Sequence, residues 1–200
     1  MRSPRRLIAM LVPALLLALP SVGSASLILA LDLPTMVSRA DQISVVDVVS
    51  VTSAWNAAHD RITTTIDVKV VDSWKGSAAP TTHLQVVQSG GTVGEIEMRV
   101  DGMPHFQVGE RTLLFLRLHA GPDHASVVGM AQGKRPMTRD AGSERWMVSA
   151  PGRAGADFVR TTPASAAIFT ARPRALTDLR SEVRALVSAG ARPAAPAGTR

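Results

Sequence analysis

The sequence predicts a mainly β domain, an antiparallel barrel or sandwich, with a short helix before it and an amphipathic helix after it. Three patterns carry that expectation. Ile43 to Val51 packs five valines and one isoleucine into nine residues, a density of β-branched side chains that suits a pleated surface better than a helix. Ile62, Thr64, Ile66, Val68 and Val70 alternate with Thr63, Thr65, Asp67 and Lys69, so one strand face meets a core and the other meets water. Further apolar runs of strand length follow, separated by turn residues rather than by helices.

Taken in order, residues 1–25 read as a cleavable export signal. Arg2, Arg5 and Arg6 give a positive start and Leu7 to Leu19 an apolar run. Gly23 and Ala25 supply the small residues that a signal peptidase requires. An apolar core of about 13 residues is too short to span a ~30 Å hydrocarbon layer. The processed chain is therefore expected in the periplasm or outside the cell, without a membrane span. Residues 26–150 are assigned to the β domain, 151–173 to a linker, 174–189 to the C-terminal helix and 190–200 to a disordered tail.

Leu33 to Asp41 forms the lead helix, with Pro34 in its first turn. Strands are expected at Ile43–Val51, Arg61–Ser73 and around Leu84 and Val86, the third closed by Ser89-Gly90-Gly91. Val93 to Val100 is a polar edge strand. Arg111 to Leu118 is central, Ala125 to Met130 follows the turn at Gly121-Pro122-Asp123, and Arg145 to Ser149 is last. Leu176, Leu179, Val183 and Leu186 then form one helical stripe, with Thr177 as cap and Asp178 in the first turn.

Charge narrows the function. The formal +6 net charge is carried by the ends, since Ser26 to Thr170 holds 13 basic and 14 acidic side chains. A nucleic-acid binder needs a basic face, so nucleic acid is not an expected partner. The chain has no cysteine, which removes thiol catalysis, thiolate metal sites and disulfide staples.

The candidate working surface comprises Trp55, Gly90, Gly91, Glu95, Glu97 and His105. Trp55 sits in the polar stretch Ser53 to Asp60 and is the tryptophan best suited to an exposed contact. Gly90 and Gly91 either line a ligand groove or supply positive φ at a corner. Glu95 and Glu97, followed by Asp101 and His105, form the densest acidic cluster, read either as a cation or acid–base site or as a charged edge strand. His59, His83, His105, His119 and His124 lack paired metal-binding spacing, and no G-x-S-x-G elbow occurs. Neither a metal nor a cofactor is implied. Lys134, Arg135 and Arg139 read as a solvated basic turn, with an anionic polymer as the alternative ligand.

Six elements stand in order between Ala40 and Met137: Ala40-Asp41, Trp74-Lys75-Gly76, Gly90-Gly91, Phe106-Gln107-Val108-Gly109-Glu110, Leu114-Phe115-Leu116, and Gly129-Met130-Ala131-Gln132-Gly133-Lys134. This order resembles that of a class of exported bacterial proteins of unknown role. The strand plan is also similar to the netrin-like module of the tissue inhibitors of metalloproteinases, which implies an OB-like five-stranded barrel. The inhibitory cysteine of that module has no counterpart here. The expected role is a non-enzymatic binding or accessory module of the cell envelope or exterior, acting on an exported protein or envelope component. Two alternatives are inhibition or chaperoning of a secreted metalloprotease and a metal-dependent hydrolase using Glu95, Glu97 and His105.

Overall fold

In the structure, a computed structural model, residues 27–119, 124–160 and 162–190 are described. The export signal expected over 1–25, the turn at Gly121-Pro122-Asp123 and the tail beyond Gly190 lie outside those residues. No helix among the described residues is long and apolar enough to cross a membrane.

The chain begins with β1 (Leu27–Leu29) and α1 (Leu33–Arg39). Asp32 caps α1 by accepting a 2.9 Å hydrogen bond from the Thr35 amide, and Pro34 sits in the first turn, where no intrahelical donor is needed. β2 (Gln42–Trp55) and β3 (Ile62–Lys75) form a long hairpin, followed by β4 (His83–Ser89). The ribbon β5 (Gly91–Val93) and β6 (Ile96–Met98) precedes β7 (Arg111–Leu118) and β8 (His124–Val127). A 3-10 turn at Met130–Gly133 leads into β9 (Lys134–Arg139), β10 (Trp146–Val148) and β11 (Asp157–Val159). Then come α2 (Pro163–Ala167), β12 (Arg174–Ala175) and α3 (Leu176–Ser188).

Five strands close into a barrel in the order β2-β3-β4-β8-β7, with β7 returning to β2. β9, β10 and β12 extend the sheet outward from β7. The expectation of a wholly antiparallel sheet is corrected by β4 and β8, which run parallel through Gln85–His124 and Val86–Ala125. The reason is arithmetic. Every antiparallel pairing reverses direction, and five reversals around a ring cannot restore the starting direction. One seam must be parallel, and the remaining four are antiparallel.

Burial follows the alternation of β3: Ile62, Thr64, Ile66, Val68 and Val70 are all buried. The barrel interior is filled by Val46, Val48, Ile66, Val68, Leu84, Val86, Leu114 and Leu116. A second apolar layer outside the barrel joins Met36, Val37, Val45, Leu113, Phe115, Val148, Leu179 and Val183. β7 therefore buries both faces, which explains its unbroken apolar run. The predicted stripe of α3 docks in this second layer through Leu179 and Val183, with Leu176 and Leu186 partly buried beside them. Thr177 does not cap it. Ala175 holds the cap position, and the Thr177 hydroxyl instead donates to Asp178 Oδ1 at 3.2 Å.

Two further expectations are corrected. Val93 to Val100 is no barrel strand, because Gly94 (φ +62°) and Glu95 turn the chain back on itself to make the β5–β6 ribbon. Lys134-Arg135 is no solvated turn, because both residues lie in β9, paired with Leu114 and Leu113 of β7. Within 151–173 the chain forms β11, which pairs in parallel with β1, and α2, and it buries Ala156, Phe158 and Ile168.

Candidate functional site

At one end of the barrel the β2–β3 hairpin and the β5–β6 ribbon enclose a cleft of about 430 Å³. Val51 and Ser53 of β2, Thr64 and Ile66 of β3 and Gln88 of β4 form one side. Gly90, Gly91, Glu97, Met98, Met103, His105 and Phe106 complete it. The lining combines both charge signs, through Glu97 and Arg99, with several apolar side chains.

The two glycines hold the ribbon against the barrel. Gly90 lies at φ +92°, and its amide donates to Ile62 O at 2.9 Å while its carbonyl accepts from Thr64 Oγ1 at 2.6 Å. Gly91 lies at φ +138°, and a Cβ there would fall 2.3 Å from Thr64 Oγ1 and 2.4 Å from Ser53 Oγ. Those hydroxyls are 2.8 Å apart and hydrogen-bonded. Positive φ and absent side chains at this pair are what let the backbone wall the cleft.

Gln88 bridges to the opposite wall by donating from Nε2 to Pro104 O at 3.0 Å. Among the described residues its Oε1 is buried without a hydrogen-bond partner. A buried unmet acceptor costs about 1–3 kcal/mol. On the far side the Lys134 ammonium joins Glu110 at 2.7 Å, donates to the His105 carbonyl and lies 4.8 Å from the Phe106 ring centre. This buried cation pins the 105–110 loop to β9.

Of the six sequence-derived candidates, Gly90, Gly91, Glu97 and His105 line the cleft. Trp55 and Glu95 do not. Trp55 follows Val51 and Ser53 on the same strand face, one alternation beyond the lining, where its half-buried ring stacks on His59 at 6.2 Å. Glu95 stands exposed at the ribbon tip between β5 and β6. Among the described residues no three or more histidine, aspartate or glutamate side chains are grouped as a metal site would require. His83 pairs with Asp67 at 2.9 Å, and His119 Nε2 meets Ser126 Oγ at 2.8 Å. The His119 amide donates to the His124 carbonyl at 2.9 Å, a backbone contact.

Sequence reasoning missed Ser53, Thr64, Gln88 and Phe106. Thr64 and Ser53 are inward members of alternating strands, and a hydroxyl at such a position was the available signal. Gln88 carried none, because its role depends on the Pro104 carbonyl brought across by the loop. Comparison with protein-family models, with curated proteins and with solved structures returns no match.

Proposed function

We propose that this chain is an exported, non-enzymatic binding module of a bacterial cell envelope or exterior that holds an extended segment of a partner protein. The observation carrying this reading is the cleft beside an open strand edge. β7 pairs with β2 only from Gln42 to Asp47, whereas β3 pairs with it as far as Trp55. One edge of β2 from Val49 to Trp55 therefore has no strand hydrogen-bonded to it among the described residues. Val49 and Val51 are exposed on that stretch, and Val51 and Ser53 also wall the cleft. An extended peptide adding to such an edge gains backbone hydrogen bonds and places alternate side chains in the adjoining pocket.

The ring order supports an OB-like barrel. Numbered along the chain, the five strands stand first, second, third, fifth and fourth around the ring. OB-type barrels bind through loops and one sheet face, and the cleft adjoins the first hairpin of this ring. The same order is consistent with the netrin-like resemblance and keeps a secreted metalloprotease among the candidate partners. The separation of Glu95 from the cleft that holds Glu97 and His105 speaks against a hydrolase built on those three residues.

The test is capture from the native secretome with the processed protein, alongside a Val51→Lys, Glu97→Lys variant. Both positions are exposed, so the variant should fold, and the partner taken by the wild type should be lost. Capture of the same partner by both proteins removes the cleft as the site.

A further inference from the structure

A second pocket, about 200 Å³ in volume, lies in the apolar layer between the sheet and the C-terminal helices and shares no lining residue with the cleft. Phe115 of β7, Val148 of β10, Ile168 after α2 and Leu179 of α3 give it buried apolar walls. Arg135 of β9 also lines it. By strand alternation Arg135 shares a face with Met137, which is buried in the same apolar layer. Among the described residues its guanidinium has neither a hydrogen bond nor an ion pair, although its main-chain carbonyl accepts from Thr112 Oγ1 at 2.8 Å. Arg172 and Arg174 stand exposed in the same lining, facing a single acid, Glu182, which Arg174 already engages at 2.7 Å.

A partly buried guanidinium without a counter-charge is costly, and a protein core has cheaper residues for that volume. Desolvation by burial, with repulsion from Arg174, lowers the Arg135 pKa to about 10. A carboxylate would relieve both effects at once, because its two oxygens match the guanidinium fork. Among the described residues the walls around the Arg135 guanidinium are largely apolar, which selects an anion with an apolar body rather than a strongly hydrated one.

We infer that this pocket is a binding site for a small monocarboxylate with an aliphatic or aromatic body, its carboxylate on Arg135 and its body against Phe115, Val148 and Leu179. The site is independent of the cleft and of the role proposed for it.

The probes are hexanoate, hexanamide and inorganic phosphate, titrated by NMR and calorimetry into the whole chain and into Arg135→Gln and Arg135→Met. Hexanoate should bind saturably and shift Phe115, Val148, Ala167 and Leu179, with hexanamide at least about tenfold weaker. Both variants should lose about ten- to a hundredfold of hexanoate affinity, the range expected for a charged hydrogen-bonded pair. Both should also melt at or above the wild type, since an unpaired like-charged group has been removed. No saturable hexanoate binding, or equal binding by wild type and Arg135→Gln, overturns the assignment. Phosphate binding as tightly as hexanoate also overturns it in favour of a general oxyanion site. Both variants melting well below the wild type would show that Arg135 supports the fold, which overturns it as well.

Discussion

Lys134 shows how much one residue's meaning depends on what the chain folds around it. As sequence it is one of two adjacent cations after a glycine; in the fold it is only 9% exposed and is held by Glu110, the His105 carbonyl and the Phe106 ring. Lys134→Met keeps the apolar stem but leaves Glu110 as a poorly solvated charge, so it should cost about 3 kcal/mol in chemical denaturation. Adding Glu110→Gln removes that stranded charge while keeping an acceptor for the Gln107 amide, 3.0 Å away. The double variant should therefore unfold closer to the wild type than Lys134→Met alone, and equal losses would show that the ammonium acts through the His105 carbonyl instead. A surface group gives the contrasting case. Asp140 is held below its ordinary pKa, first by the Ser143 hydroxyl at 2.6 Å and then by the Ser143 amide. Because the folded pKa is depressed, the support this carboxylate gives its turn is complete above the usual aspartate range. It is lost as pH falls through the folded value. NMR titration should find Asp140 below a typical aspartate and should find it moved upward in Ser143→Ala.

At the scale of the element, the two glycines of the β5–β6 ribbon separate conformational need from spatial need. Gly94 has φ +62° with nothing within 4 Å of a Cβ, whereas Gly91 has φ +138° and a Cβ position inside the Ser53–Thr64 hydroxyl pair. Gly94→Ala should cost about 1 kcal/mol, the left-handed penalty alone. Gly91→Ala should cost about 2–4 kcal/mol by adding a clash, and it should splay the ribbon from the barrel. Similar losses in the two variants would show that the ribbon lifts off freely. The helix α3 is anchored differently, by Leu179 and Val183 in the outer apolar layer, with Arg180 reaching Asp72 at 3.1 Å. Leu179→Ala should cost about 2–4 kcal/mol, far more than removal of the half-exposed Arg180–Asp72 pair. Periodicity made α3 and β3 legible before the fold was known, because a long stripe or a strict alternation survives any tertiary context, and β7 was legible as an unbroken apolar run of strand length. β1, β9, β11 and β12 were not legible. They are two to six residues long and owe their conformation to a neighbour, as β1 and β11 owe theirs to each other. Gly90, Gly91, Glu97 and His105 were found for the cleft because turns and charges are local signals. Gln88 escaped, and Arg135 was read only as part of a basic turn, because the lack of a partner at the Gln88 Oε1 and the Arg135 guanidinium among the described residues exists only in three dimensions.

For the whole molecule, the odd ring of strands locates the weakest point. Closure demands one parallel seam, and here it joins β4 to β8 at two positions, Gln85 with His124 and Val86 with Ala125. The opposite side of the ring is a long hairpin running from Ile43 with Lys75 to Trp55 with Ile62, paired along most of that length despite three register shifts. Opening should therefore begin at β8, and hydrogen exchange should find Ala125 and Ser126 less protected than Val46 and Val68. The chain offers a direct way to test this, because it has no cysteine of its own to interfere. Gln85 and His124 are both exposed, so Gln85→Cys with His124→Cys places a bridge across the seam without disturbing the interior. Closing a loop of that length should add about 3–4 kcal/mol if the unfolded chain gains nothing else from the link. It should also raise protection across β8 and in Leu116 and Leu118, which pair with it from β7. Reduction should reverse both effects. A bridge that forms fully yet leaves stability and the exchange pattern unchanged would mean that the ring opens elsewhere, with the β7–β2 seam the next to be stapled.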